Sequence, residues 1–387
     1  MSTDRRASLA SAAALVTMLA AASGCGETFK PASYVDSLRV LAVRADEPEL
    51  IPPGGEPASL PSSTRLRALV ADPAALDDPS REATVLYLSC TPDPLDPNAS
   101  GCTALANLKV DGAMARAAAA SLCAPPGQGG GVGDAPMRFA GLEVCAQGRG
   151  CEPIVVEVDG VPTELPPPVY EVPEGTDLAG LPAGHPVRTR GIQAMIVAVA
   201  VAASPGELLT EVDATEPCAI AAGAGEHLGR LLDERESVTA VKRVQIRGPD
   251  APDDVNVNPA IDGVSRSGKP IPEVVGDPVP TEARIRPGAA VDLRPIATEV
   301  RQRYTRLDAE GAPLEAVEEL WTYSWFASAG TLEKRRTRGT GEPVEFQAPT
   351  DAKDDPIPAS KRVFVWAVVR DGRGGVDWVT RELRLRE

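Results

Sequence analysis

The chain has 387 residues, a formal net charge of −16, 38 prolines, 35 glycines and only 4% aromatic residues. The acidic balance repels phosphate backbones and argues against a nucleic-acid partner. The proline and glycine load is high for a helical protein yet below the level of wholesale disorder, which points to many strands joined by turns, with cores built from Val, Leu, Ile and Ala.

The chain opens with Met1-Ser2-Thr3-Asp4-Arg5-Arg6 and an apolar run from Ala7 to Ala22 interrupted only by Ser and Thr, the charged start and apolar middle of a signal peptide over 1–24. The run falls short of the about 20 apolar residues that a spanning helix wants. Ala22-Ser23-Gly24-Cys25 follows directly. It resembles the lipobox of bacterial lipoproteins, and that resemblance implies a lipid, palmitate included, on Cys25. Gly26 stands where an Asp would resemble an inner-membrane retention signal, so the outer membrane is the expected address.

Giving Cys25 to lipid leaves Cys90, Cys102, Cys123, Cys145, Cys151 and Cys218, an even set that suits disulfides in an exported chain. Connectivity is not deducible from sequence. The sequence-local choices are Cys90 with Cys102 and Cys145 with Cys151, leaving Cys123 with Cys218. Zinc is disfavoured, because His185 and His227 are the only histidines and no C-x-x-C pair exists.

After a tether over 25–33, a first domain is expected over 34–248. "DSLRVLAVRADEPEL", "TRLRALVAD" and "REATVLYLSCT" read as alternating strands separated by turns. From about 91 to 151 the rhythm breaks, and a disulfide-tied loop insertion is expected there with a short helix from Ala113 to Leu122. Strand signals return at "PIVVEVDG" and peak at "GIQAMIVAVAVAAS", whose continuous apolar run predicts a central strand buried on both faces. Leu228, Leu231 and Leu232 predict a short amphipathic helix, and "VTAVKRVQI" closes the domain as a last strand.

Residues 249–258 read as a polar linker. "PDDVNVNPAIDG" offers Asp253, Asp254, Asn256, Asn258 and Asp262 as hard oxygen ligands and resembles the calcium-binding linkers of cadherins. Val257 occupies the place of the central Asp, so a plain polar linker is the favoured reading and no metal or cofactor is expected. A second domain over 259–387 carries strands at "LWTYSWFASAGTLE", "EPVEFQAP", "KRVFVWAVVRDGRGG" and "DWVTRELRLR", with "RDGRGG" supplying hairpin chemistry. "YSWFASAGTL", "VEFQAP" and "VFVWAVVRDGRGG" resemble the central Trp strand, the strand closing on a Pro and the final hairpin of bacterial immunoglobulin-like and PKD-type domains. The resemblance implies an all-β chain of two tandem immunoglobulin-like β-sandwiches.

No H-E-x-x-H, G-x-S-x-G, P-loop or Rossmann pattern is found, and neither histidine sits in a nucleophile context. "GQGGGVG" reads as a loop, and "EKRRTR" as a solvated turn. The expected function is therefore non-catalytic: a lipid-anchored binding or scaffold module of the cell envelope that meets the membrane through its lipid and contacts an envelope protein or polysaccharide. The alternative is an accessory or carbohydrate-binding component of an envelope enzyme or export system.

Overall fold

The computed structural model describes residues 32–386 except 79, 96–101, 103–136, 147–149, 159–160, 209–228, 274–278, 299 and 353–354. Cys25, Cys123, Cys218, His227, Leu228 and the helix expected from Ala113 to Leu122 lie outside the described residues. Among those described, the chain is all-β. Its first half contributes β1 (Arg39–Ala45), β2 (Glu49–Leu50), β3 (Ser63–Ala71), β4 (Glu82–Cys90), β5 (Met137–Ala146), β6 (Gly150–Glu152), β7 (Val155–Val158), β8 (Val161–Glu164), β9 (Val169–Glu171), β10 (Ile192–Val201) and β11 (Ser237–Ile246). A six-stranded sheet runs β2-β11-β10-β4-β5-β6, a three-stranded sheet runs β1-β3-β9, and β7 and β8 form a separate hairpin.

The apolar run of β10 explains its central place. Ile192, Ala194, Ile196, Ala198 and Ala200 point into a core shared with Val43 and Ala45 of β1 and Leu66 and Ala68 of β3. Met195, Val197, Val199 and Val201 point the other way, against Leu86 and Leu88 of β4 and Leu208 and Leu231 of two helical segments. A strand covered on both faces has no use for alternation, and each fully buried Val or Ile contributes about 1.5–3 kcal/mol. Residues 229–234 are helical, as Leu231 and Leu232 predict.

The stretch expected as a loop insertion ends in a ten-residue strand of the main sheet, β5, paired with β4 from Glu82↔Ala146 to Cys90↔Met137. Its alternation is interrupted at Gly141, opposite a register shift between Tyr87 and Leu88. Gly141 has φ +127°, and a Cβ there would stand 2.6 Å from the Cα of Pro168, so close approach of the segment before β9 requires glycine.

The second half contributes β12 (Gly263–Arg266), β13 (Lys269–Pro270), β14 (Arg284–Ile285), β15 (Ala290–Ile296), β16 (Arg303–Leu307), β17 (Pro313–Glu318), β18 (Thr322–Ala327), β19 (Thr331–Leu332), β20 (Arg336–Arg338), β21 (Val344–Gln347), β22 (Arg362–Arg370) and β23 (Val376–Leu385). Two five-stranded sheets, β13-β12-β15-β21-β19 and β14-β23-β22-β18-β20, enclose a core of Trp325, Tyr323, Phe346, Val363, Val365 and their neighbours. β16 and β17 form a hairpin beside them.

β22 is also buried on both faces. Val363, Val365, Ala367 and Val369 fill the core of the second half. Phe364, Trp366 and Val368 instead pack on Leu41, Ala42, Leu69 and Ala71, the outer face of the β1-β3 sheet. Ser33–Glu387 thus forms one compact unit of four stacked sheets with a separate core between each neighbouring pair. Ahead of β1, Val35 is buried in the core between the β1-β3 sheet and β22, its N–H donating to the Ala327 carbonyl of β18 at 2.9 Å beside the bridge between Tyr34 and Ala327.

Candidate functional site

Two places concentrate polar chemistry inside this stack. The first lies between the β1-β3-β9 sheet and the six-stranded sheet. Strand periodicity puts Glu143 and Cys145 of β5 on one face, and β6 pairs Cys151 directly across from Cys145. The two cysteines form a disulfide with Cα atoms 4.0 Å apart. Glu143 is 2% exposed. Its Oε1 accepts from the Ala68 N–H at 2.8 Å and from the hydroxyl of Tyr87 on β4. Cys151 Sγ lies 3.1 Å from the Ala68 carbonyl oxygen.

Burial pushes the Glu143 carboxyl up to about 7, opposed by the hydrogen bonds from Tyr87 and Ala68 and by Arg65 and Arg67 on β3. Burial first, then the Glu143 charge, pushes the Tyr87 hydroxyl well above its ordinary value. Among the described residues, three Asp, Glu, His or Cys ligand atoms come within 4.8 Å of one another only here, at Glu143, Cys145 and Cys151. With both sulfurs bonded to each other the group offers no thiolate to a metal. A second disulfide, Cys90–Cys102, caps the end of β4 inside the core on the other face of the sheet.

The second place is the joint between the halves, where the residues proposed as a linker sit. Asn258 donates to the carbonyls of Ala45 and Asp46, both at 2.8 Å, and accepts from Val376 N–H at 2.9 Å. Asp254 Oδ2 accepts from the Thr305 N–H. Asn256 is 1% exposed, Asp253 and Asp262 are exposed, and the three aspartates form no ligand cluster. Through Asn258 and Asp254 the oxygen-rich string thus clasps β1, β23 and the β16-β17 hairpin, whereas the buried Asn256 side chain has no hydrogen-bond partner among the described residues.

The same joint buries charge. Glu49, 8% exposed, pairs with Arg247 at 3.1 Å and with Arg373 at 3.4 Å. Arg373 also pairs with Glu319 at 3.4 Å, donates to the Asp254 carbonyl at 2.8 Å and covers the Tyr304 ring with its guanidinium 4.5 Å from the centroid. Glu319 in turn accepts from Trp321 Nε1 at 3.2 Å. Asp371 accepts the N–H groups of Arg373, Gly374 and Gly375, so "RDGRGG" is the turn that aims Arg373. Lys242 of β11 donates to the Gly374 carbonyl, and burial pulls its ammonium down to about 8 against the pull of Asp371. Arg44 and Asp377 add an ion pair at 2.6 Å.

His185 caps the helix α1 (Pro186–Arg190), its Nδ1 accepting from the Val187 N–H at 3.3 Å. Trp325 of β18, Trp366 of β22 and Trp321, just ahead of β18, are each at most 2% exposed. The buried carboxylic acid at Glu143 and the Arg373 cluster were missed by sequence reading. Glu143 carries one local signal, an acidic residue two positions before a cysteine in a stretch of apolar alternation. Among the described residues no helix is long and apolar enough to cross a membrane. No protein-family model matches the chain, and no curated protein matches it significantly.

Proposed function

We propose that the chain is a non-catalytic cell-envelope lipoprotein, held in the outer membrane by a lipid on Cys25 and presenting two immunoglobulin-like β-sandwiches as one stiff binding or scaffold body. The observation that carries this reading is the fusion of the two halves. β22 lays Phe364, Trp366 and Val368 on the β1-β3 sheet, and Arg373, Asn258 and Lys242 lock the polar part of the joint. A body whose described sheets share cores across both halves suits presentation of a surface at a set distance. Residues 26–33, fully extended, reach about 28 Å from the lipid.

Recognition falls to sheet edges and end loops, the usual surfaces of such folds. The β7-β8 hairpin shows Val155 and Val161 to solvent, 61% and 60% exposed, next in sequence to the cysteine-rich stretch. A sugar-binding role by aromatic stacking needs exposed rings, and three of the four tryptophans are enclosed in cores.

The test compares wild type with Cys25→Ala after envelope fractionation, followed by pull-down of the solubilised lipoprotein. Wild type sediments with outer membranes, Cys25→Ala is released, and a Val155→Asp, Val161→Asp variant loses the partner that wild type retains. Wild type recovered in the soluble fraction overturns the anchor. A partner retained by the double variant overturns the hairpin as its surface.

A further inference from the structure

We propose that the Cys145–Cys151 disulfide exchanges with an external dithiol and that Glu143 supplies the proton taken up by the departing Cys145 sulfur. A disulfide that only staples strands needs no carboxylic acid at its side, and burying one away from water is costly. Here the acid and both sulfurs lie within 4.8 Å of one another.

The two sulfurs are unequal. Cys145 is 4% exposed and lies in the core, whereas Cys151 is half-buried on β6, the edge strand of its sheet and beside the exposed Gly150 and Glu152. Attack is therefore directed to Cys151. The incoming thiolate forms a bond to Cys151 Sγ, the bond between the two protein sulfurs breaks, and its electron pair leaves on Cys145 Sγ. A bare thiolate in that core is unfavourable, and protonated Glu143 transfers its proton to it, becoming a carboxylate held by Tyr87 and the Ala68 N–H. The second thiol of the dithiol then attacks the mixed disulfide. Cys151 leaves as a thiolate and takes up a proton, the external partner is oxidised to its disulfide, and the protein holds two thiols.

The titratable and charged groups facing Glu143 are Tyr87 from β4, Arg65 and Arg67 from β3, and the cysteine pair itself. Its carboxyl, raised to about 7, is protonated in mildly acidic conditions and ionised in alkaline ones. The other disulfide serves as an internal control. Cys90 and Cys102 are at most 2% exposed within an apolar core.

The experiment treats the native full chain with dithiothreitol from about pH 5.5 to about pH 8.5, traps thiols by alkylation and follows each cysteine-containing peptide by mass spectrometry, with rates expressed per reductant thiolate. Cys145–Cys151 opens first, and its rate falls at least about tenfold as pH rises through the Glu143 transition. Glu143→Gln, which keeps an oxygen acceptor for Tyr87 and Ala68, runs flat at the alkaline limit of wild type. Tyr87→Phe moves the inflection to higher pH, since the lost hydrogen bond had held the carboxyl down. Parallel profiles for wild type and Glu143→Gln overturn the proposal, as does a Cys145–Cys151 bond that opens no faster than Cys90–Cys102. If Glu143→Gln does not fold, the direction of the Tyr87→Phe shift decides alone.

Discussion

Raising the pH should weaken this fold through one residue. Glu143 moves from an ordinary 4.5 in the unfolded chain to about 7 in the folded one, because burial disfavours its charged form. The folded state therefore binds the proton more tightly than the unfolded state. The contribution is fully present below about pH 4.5 and is lost as pH rises through about 7. A difference of roughly 2.5 units at 1.36 kcal/mol each is about 3 kcal/mol, or about 4 °C in melting temperature for a body of this size. The chain also carries an excess of acidic groups, whose mutual repulsion grows over the same range. The meaningful quantity is thus the difference between wild type and Glu143→Gln, measured by urea unfolding at about pH 5 and about pH 8. Wild type should lose about 2.5 kcal/mol more than the variant between those conditions, since at about pH 5 the unfolded carboxyl is already largely ionised. Equal losses in both proteins would refute the assignment of the buried proton to Glu143.

The joint offers two further perturbations. Arg373→Met leaves Glu319 buried without its cationic partner and removes one of two from Glu49, a change expected to cost about 3–5 kcal/mol in chemical denaturation. A cost under about 1 kcal/mol would mean that solvent reaches the cluster. Trp366→Ala opens a cavity between the second and third sheets and should cost about 3–5 kcal/mol. Hydrogen exchange should quicken in β1 and β3 as well as in β22, and protection lost only in the second half would contradict the shared core.

Much of the strand content was legible because its side-chain patterns are local. β10 declared itself by an unbroken apolar run, and β22 by Phe364, Trp366 and Val368 against Val365, Ala367 and Val369. β5 escaped because Arg138 and Glu143 interrupt the apolar signal and Gly141 shifts the register where β4 bulges. The β16-β17 hairpin escaped because Arg303, Arg306, Glu315 and Glu318 make it polar on a surface that needs no core face. The four-sheet stack was beyond reach for another reason. The partners in Arg44–Asp377 and Glu49–Arg373 stand more than 300 residues apart, and nothing local in either half names the other. In the oxygen-rich string at 252–262, Asn258 and Asp254 hold backbone groups of β1, β23 and β16, partners that nothing local in the sequence names.

The position of the β1-β3 sheet, covered on one side by the first half and on the other by β22, bears on how the chain is made. Synthesis proceeds from the N-terminus, so β1 and β3 emerge with Leu41, Leu69 and Ala71 while their cover, Phe364, Trp366 and Val368, is still nearly 300 residues away. Tyr34 and Val35 wait as long for Ala327. Contacts of such separation form late and slowly, and until then an apolar sheet face stays open to the surroundings. Completion of the last hairpin is thus the event that closes the molecule, and a chain truncated before β22 would leave open the same apolar face that the finished protein hides.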